Sequence, residues 1–350
     1  MTNVDENVTP ALVLDGEKLK TLIAEYKKIG DVYYPVKSNS AESIIEIVRK
    51  EGCGFLASCT YYLEKLIACG VEAKNILYDN CAAAKEEIAA VCKAGVNFFY
   101  TDSSEHFFEV EKYNPAARFL IKISADKTVK KVSKFGIQDF TELKQTIENK
   151  EKLAGLGFYI PESSFCYKSL KKQLDFIFRN IKQKEKIEKL NLGGSLKGLL
   201  TDPKQKKLLD HYKNMGYFDR IILEPGRNLL NPCMNIETTV IKKRILNGNH
   251  ALFVDASIYS GLMDVYIEGK KLKIGEKDSL SKNSVSKEML CQSYHIYGKT
   301  SDSADYLGVH RLSQSIKEGD ILTIADCGAY CWDMSQVYSG AKKLTLVKLL

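Results

Sequence analysis

The sequence has ten cysteines and five histidines in 350 residues, yet no Cys-x-x-Cys pair and no paired-histidine spacing. Zinc sites built on such spacings are therefore excluded. Ten cysteines in a chain this long also fall far short of the ~8–10% that marks a disulfide scaffold. No apolar run approaches the ~18–20 residues needed to cross a bilayer. The first ten residues, Met1 to Pro10, are polar and acidic, which does not make a signal peptide. There is no internal repeat and no low-complexity linker. A hydrophobic share of 45% and a charged share of 27% exclude disorder and a collagen-like fibre. Lys+Arg outnumber Asp+Glu by 51 to 44, but the excess is spread over solvated lysine-rich faces such as Lys182–Lys189. Basic and aromatic residues do not interleave into a nucleic-acid-binding stripe. These absences leave a globular, cytoplasmic protein with reduced and mostly buried thiols, and neither nucleic acid nor membrane as a partner.

What is present is an alternation. Short apolar runs at Val32–Lys37, Gly54–Ser58, Asn75–Tyr78, Asn97–Thr101, Arg118–Ile123, Leu156–Ile160, Lys189–Leu192 and Arg220–Leu223 predict strands. Amphipathic stretches between them, such as Ala41–Glu51, Leu63–Cys69, Ala84–Lys93 (with Gly95 as a C-cap), Leu170–Lys186 and Lys204–Asn214, predict helices. Eight such units in about 200 residues are the size and order of a (β/α)8 TIM-like barrel; a doubly wound open sheet is the alternative. After Asn231 the pattern becomes strand and turn, at Glu237–Leu246, Ala251–Ala256, Lys270–Ile274, Ile321–Ala325 and Lys343–Leu349. The expected architecture is a barrel over residues 31–232 and a C-terminal all-β domain over 233–350. An N-terminal segment, 1–30, joins the β-domain through Ala11–Asp15.

In such a barrel catalytic residues come from the C-terminal ends of the strands. The first strand ends in Tyr34-Pro35-Val36-Lys37-Ser38-Asn39, the seventh in Asn191-Leu192-Gly193-Gly194-Ser195 and the eighth in Leu223-Glu224-Pro225-Gly226-Arg227. Paired glycines let backbone N–H groups approach an anion, and Arg227 adds charge to the same anion. A lysine at the rim is either ion-paired, with Glu224 as its partner, or an amine held for chemistry. Lysine, carboxylate and phosphate cradle together suggest pyridoxal 5′-phosphate, with the carboxylate keeping the pyridine nitrogen protonated.

The chain resembles the fold-type III pyridoxal-phosphate-dependent amino-acid decarboxylases, the group of ornithine, arginine and diaminopimelate decarboxylases. The family's Tyr-Ala-Val-Lys-Ala-Asn reads Tyr34-Pro35-Val36-Lys37-Ser38-Asn39 here; its Glu-Pro-Gly-Arg stands at Glu224–Arg227, its Gly-Ala-Tyr at Gly328-Ala329-Tyr330 and its Lys-Phe-Gly at Lys134-Phe135-Gly136. The order and spacing of these motifs run through residues 10–340. The resemblance implies a Schiff base on Lys37, a tyrosine (Tyr330) reaching the cofactor phosphate, and a head-to-tail homodimer. In that dimer the partner's β-domain supplies a Cys-Asp pair to each active site.

The departures bear on specificity. The family's third phosphate-loop glycine is Ser195, and its His-Val-Gly-Ser aligns with Tyr159-Ile160-Pro161-Glu162, where Tyr159 replaces the histidine that stacks on the cofactor ring. Family acids are replaced by Leu56 and Tyr62, and the family arginine by Lys122. Ser301, in Tyr297-Gly298-Lys299-Thr300-Ser301-Asp302, occupies the place of the cysteine that protonates the α-carbon, and an alcohol is a far weaker acid than a thiol. Asp302 keeps the aspartate that contacts the substrate's distal amine, and Asp264 aligns loosely with a second; its bland alternative is a loop cap. The expected function is α-decarboxylation of an amino acid, or of an amino-acid-bearing metabolite, with a distal amine, in specialised biosynthesis or polyamine-type metabolism. A catalytically inactive binding or regulatory homologue and an amino-acid racemase are the alternatives.

Overall fold

The computed structural model describes residues 8–124, 134–137, 139–148, 151–179, 187–277 and 290–349. The first strand and helix are β1 (Ala11–Leu14) and α1 (Gly16–Lys27). Strand and helix then alternate: β2 (Asp31–Pro35), α2 (Glu42–Lys50), β3 (Gly54–Ala57), α3 (Thr60–Ala68), β4 (Ile76–Tyr78), α4 (Lys85–Lys93), β5 (Phe98–Thr101) and α5 (Ser104–Tyr113). The alternation continues through β6 (Arg118–Ile123), α6 (Thr141–Glu148), β7 (Leu153–Phe158), α7 (Tyr167–Arg179), β8 (Ile187–Asn191), α8 (Pro203–Asn214), β9 (Phe218–Leu223) and α9 (Arg227–Leu230).

Strands β2 to β9 close into a parallel barrel, with Asp31 and Val32 of β2 in register with Ile222 and Leu223 of β9. Closure overturns the open-sheet alternative. Leu56, Leu77, Phe98, Tyr100, Leu120, Ala154 and Ile222 form an apolar cluster contributed by β3, β4, β5, β6, β7 and β9, so the barrel is a packed core rather than a pore. The barrel and its helices, Lys20–Lys37 with Glu42–Asn228, form one compact unit.

The strand predicted at Leu156–Ile160 lies at Leu153–Phe158 instead. Its two glycines dilute the apolar run. Gly157 is required by close approach: a Cβ there would lie 2.4 Å from Tyr100 Oη. Helix α5 fills the expected place between β5 and β6, although its charged residues gave it no bounds in the sequence; Ser103 caps it by accepting from the N–H of His106 at 3.2 Å. The helix predicted to Lys186 ends at Arg179, and the remainder of that stretch lies outside the described residues, as does most of Met1–Pro10.

The second unit comprises the chain up to Leu19, Ser38–Ala41, and everything from Leu229 onward. Its strands are β1 together with β10 (Met234–Leu246), β11 (Asn249–Val254), β12 (Lys273–Glu276), β13 (Cys291–Tyr297), β14 (Tyr306–Ser313), β15 (Ile321–Ala325) and β16 (Thr345–Leu349). The sheet runs β12-β15-β10-β11-β13-β14, with β1 paired to β10 and β16. This unit is not purely β: α10 (Met263–Ile267) interrupts it. Strands β13 and β14 escaped the sequence reading because their inward positions carry few apolar residues, such as Tyr294 and Ile296, among polar neighbours. All ten cysteines are free; four are buried, five half-buried and Cys166 exposed, so fewer thiols are buried than expected.

Candidate active site

Each barrel strand delivers its chemistry at its C-terminal end. Lys37 sits half-buried in a single turn, Val36–Ser38, directly after β2. Glu224 follows β9 and is buried. Its Oε1 accepts from Asn191 Nδ2 at 2.7 Å and from Tyr100 Oη at 3.2 Å. Oε2 takes no protein hydrogen bond among the described residues. Burial, reinforced by the Asp79 carboxylate, raises the Glu224 pKa to about 7; Lys122, the Asn191 amide and Lys37 pull the other way.

Asn191 is fully buried at the end of β8. Its Oδ1 accepts the N–H of Gly193 at 2.8 Å, and Glu224 N–H donates to Gly193 O at 3.0 Å. The loop after β8 is also tied to α9, where Asn228 Oδ1 accepts from Leu196 N–H at 3.3 Å. The Gly193 N–H that the sequence offered to an anion is therefore engaged internally. The N–H groups of Gly194, Ser195 and Gly226 have no hydrogen-bond partner among the described residues, although Ser195 and Gly226 are buried. Buried backbone donors are rarely left so, and three together make an anion cradle. The cradle is tight: Gly193 has φ +70° and a Cβ there would meet Phe158 O at 2.6 Å, while one at Gly194 would meet Glu224 O at 2.7 Å. These residues fit pyridoxal phosphate at both ends, an open carboxylate oxygen for its ring nitrogen and unpaired N–H groups for its phosphate.

Three polar residues that sequence reasoning gave no role, Asp79, Tyr100 and Asn191, complete this floor. Asp79, just after β4, forms an ion pair with Lys122 of β6. Lys122 lies 4.9 Å from the Tyr100 ring centroid and 5.4 Å from that of Phe135 in the Lys-Phe-Gly segment. Burial works against the Lys122 charge, but Asp79 outweighs it and the lysine pKa rises. Leu56, where the resemblance put an acid, packs inside the barrel.

The remaining expected residues are placed less uniformly. Tyr159 is 46% exposed at the end of β7. Arg227 Nη1 lies 3.8 Å from Glu162 Oε2, so its charge is shared with a carboxylate.

In the β unit, the Tyr330 N–H donates to Ser38 O, Asn39 Nδ2 donates to Gly328 O at 3.1 Å, and Ser40 Oγ donates to Asp333 Oδ1 at 2.5 Å. Residues 38–40 are thus held against the Gly-Ala-Tyr segment. Ser301 is exposed, its Oγ 3.0 Å from Ser339 Oγ. Asp302 accepts from Tyr259 Oη at 2.6 Å and from Ala304 N–H at 2.9 Å, and both bonds lower its pKa. The buried Asp305 holds their loop by accepting from Ile258 N–H at 2.9 Å and from Thr300 Oγ1 at 2.6 Å. Asp264 is buried in the first turn of α10, where its charge acts on the buried thiols Cys327 and Cys331.

A barrel with a rim lysine, a buried carboxylate and an N–H cradle defines a pyridoxal-phosphate enzyme, and the similarities agree. Residues 17–231 match the family model described as pyridoxal-dependent decarboxylase, pyridoxal binding domain. The chain is 23% identical to ornithine decarboxylase of Schizosaccharomyces pombe, covering 91% of this chain and 77% of that one. It is 25% identical to diaminopimelate decarboxylase of Methanocaldococcus jannaschii over 97% and 86%. In structure it resembles the Paramecium bursaria Chlorella virus arginine decarboxylase bound to agmatine, with a TM-score of 0.82, 20% identity and 96% of each chain covered. The lysine/ornithine decarboxylase of Vibrio vulnificus complexed with cadaverine gives 0.83, 16% identity and coverage of 97% and 94%. The chain belongs to the pyridoxal-dependent decarboxylases, a family of carboxy-lyases, and its cofactor is pyridoxal 5′-phosphate. No helix among the described residues is long and apolar enough to cross a membrane.

Proposed function

We propose that the protein is an α-decarboxylase of an amino acid, or of a metabolite bearing an amino-acid group, with a distal amine, serving specialised biosynthesis or polyamine-type metabolism in the cytoplasm. The observation that carries the reading is the split role of the Glu224 carboxyl: Oε1 is anchored by Tyr100 and Asn191, which leaves Oε2 for a ring nitrogen. When bound, pyridoxal phosphate supplies a protonatable ring that accepts the electron pair released as carbon dioxide leaves.

The chain's residues supply the rest. Lys37 provides the amine that holds the cofactor. Glu224 holds or shares the proton at the ring nitrogen. Gly194, Ser195 and Gly226 offer N–H groups to the phosphate, and Arg227 adds positive charge beside them. Gly193 shapes that loop, and Tyr159 and Tyr330 join the cofactor set on the resemblance alone. Asp302, kept ionised by Tyr259, suits a cationic tail. Asp264, buried beside two thiols, suits a structural role better than a substrate contact. In this reading the chain works as a homodimer, each β-domain lending Ser301 and Asp302 to its neighbour, with Ser301 relaying a proton to the α-carbon. The expected domains, 1–30 with 233–350 and the barrel of 31–232, stand beside compact units that divide at Leu19/Lys20 and Asn228/Leu229, with Ser38–Ala41 in the β unit.

Reconstitution tests it. Protein mixed with pyridoxal phosphate should gain a visible absorbance band that survives desalting and is absent from Lys37→Ala. A colourless protein would favour the regulatory homologue.

A further inference from the structure

Among the described residues, Lys37 after β2, Asp79 after β4, Tyr100 on β5 and Lys122 on β6 act on the buried Glu224 carboxyl from different elements, with the uncharged Asn191 beside them. Asp79 and Lys122 are bound to each other. Lys122 Nζ lies 4.9 Å from the ring of Tyr100, whose hydroxyl donates to Oε1. The open oxygen is Oε2. Both charges act on the carboxyl, and with opposite signs.

We propose that the Asp79–Lys122 ion pair is a positioning device that sets where the proton lies between Glu224 and the heterocyclic nitrogen it holds, Asp79 drawing the proton onto the carboxyl and Lys122 driving it off. The inference deepens the cofactor reading above and rests on it. The two charges oppose one another, so the pair as a whole leaves Glu224 near balance, while either charge alone tips it. Raising of the Glu224 pKa by Asp79 and its lowering by Lys122 follow the same signs. A lone Asp79 keeps the proton on Glu224 and leaves the ring nitrogen bare; a lone Lys122 holds Glu224 as a carboxylate and keeps the nitrogen protonated. The acid absent at Leu56 is thereby replaced from the next strand.

The test uses full-length protein reconstituted with pyridoxal phosphate labelled with 15N in the ring, whose chemical shift separates protonated from bare nitrogen. At fixed pH, Asp79→Asn should move the signal toward the protonated limit and Lys122→Met toward the bare limit. The double variant should return toward wild type, and Lys122→Arg should match wild type. In cofactor-free protein, the Glu224 carboxyl titration read by 13C NMR should fall by about one pH unit in Asp79→Asn and rise by about as much in Lys122→Met. Should one single variant fail to fold, the other must still move in its own direction and the double must reverse it. Equal-sign shifts, or none, overturn the proposal. Wild-type protein that never binds the cofactor sinks the underlying reading instead, while the Glu224 titrations still decide whether the pair tunes the carboxyl.

Discussion

Asn191 donates to Glu224 Oε1 at 2.7 Å and accepts the Gly193 N–H at 2.8 Å, so one fully buried amide couples the Glu224 carboxyl to the glycine loop after β8. Neither partner can shift without the other. Asn191→Ala strands the Gly193 N–H and removes an anchor from Glu224, at a cost of about 1–3 kcal/mol. Chemical denaturation should record that loss, and equilibrium dialysis should record weaker retention of pyridoxal phosphate.

Glu224 makes the cofactor-free protein sensitive to pH. Its folded-state pKa is raised to about 7, chiefly by burial. A raised carboxyl contributes stability that is fully present below the unfolded pKa, near ~4.3, and lost as pH climbs through 7. The loss is up to about 3–4 kcal/mol. The expected outcome is a melting temperature of the cofactor-free protein that falls between pH 5 and 7.5, with the fall reduced in Glu224→Gln. An unchanged slope in the variant would remove Glu224 as the source.

Gly157 exists to admit Tyr100. Since a Cβ at 157 would lie 2.4 Å from Tyr100 Oη, Gly157→Ala must push the ring off Glu224 or bend β7. Overpacking of this kind costs about 1–3 kcal/mol. Denaturant midpoints should drop, and cofactor release should accelerate even at temperatures where the variant is folded.

These residues mark the limit of what could be read in advance. The position of Lys37, Gly193–Gly194 and Glu224–Arg227 at the strand ends was legible because each lies in a short contiguous motif there, and the alternation of runs and amphipathic stretches sufficed for a barrel. Asp79, Tyr100 and Asn191 were not assigned roles, since each is a single polar residue whose function depends on strands brought together from as far apart as β4 and β9. Asp305 is similar: its role lies in gathering Ile258 and Thr300, which no local pattern announces. The strand expected at Leu156–Ile160 lies at Leu153–Phe158, and the purpose of its Gly157, room for a tyrosine from β5, is likewise non-local.

Asp302 should govern substrate affinity more than turnover. A charge-assisted bond to a cationic tail is worth about 1.5–3 kcal/mol, or roughly 10- to 150-fold in affinity. Asp302→Asn should raise KM for a diamino acid by that order and leave kcat within a few-fold. A fall in kcat at unchanged KM would point away from tail recognition.

Carbon dioxide release tests the decarboxylase reading most directly. Purified protein with pyridoxal phosphate should liberate labelled carbon dioxide from at least one carboxyl-labelled amino acid with a distal amine, chosen from ornithine, lysine, arginine, diaminopimelate and their conjugates. Lys37→Ala should release none. Wild-type protein that binds the cofactor yet releases no carbon dioxide from any of them would contradict it.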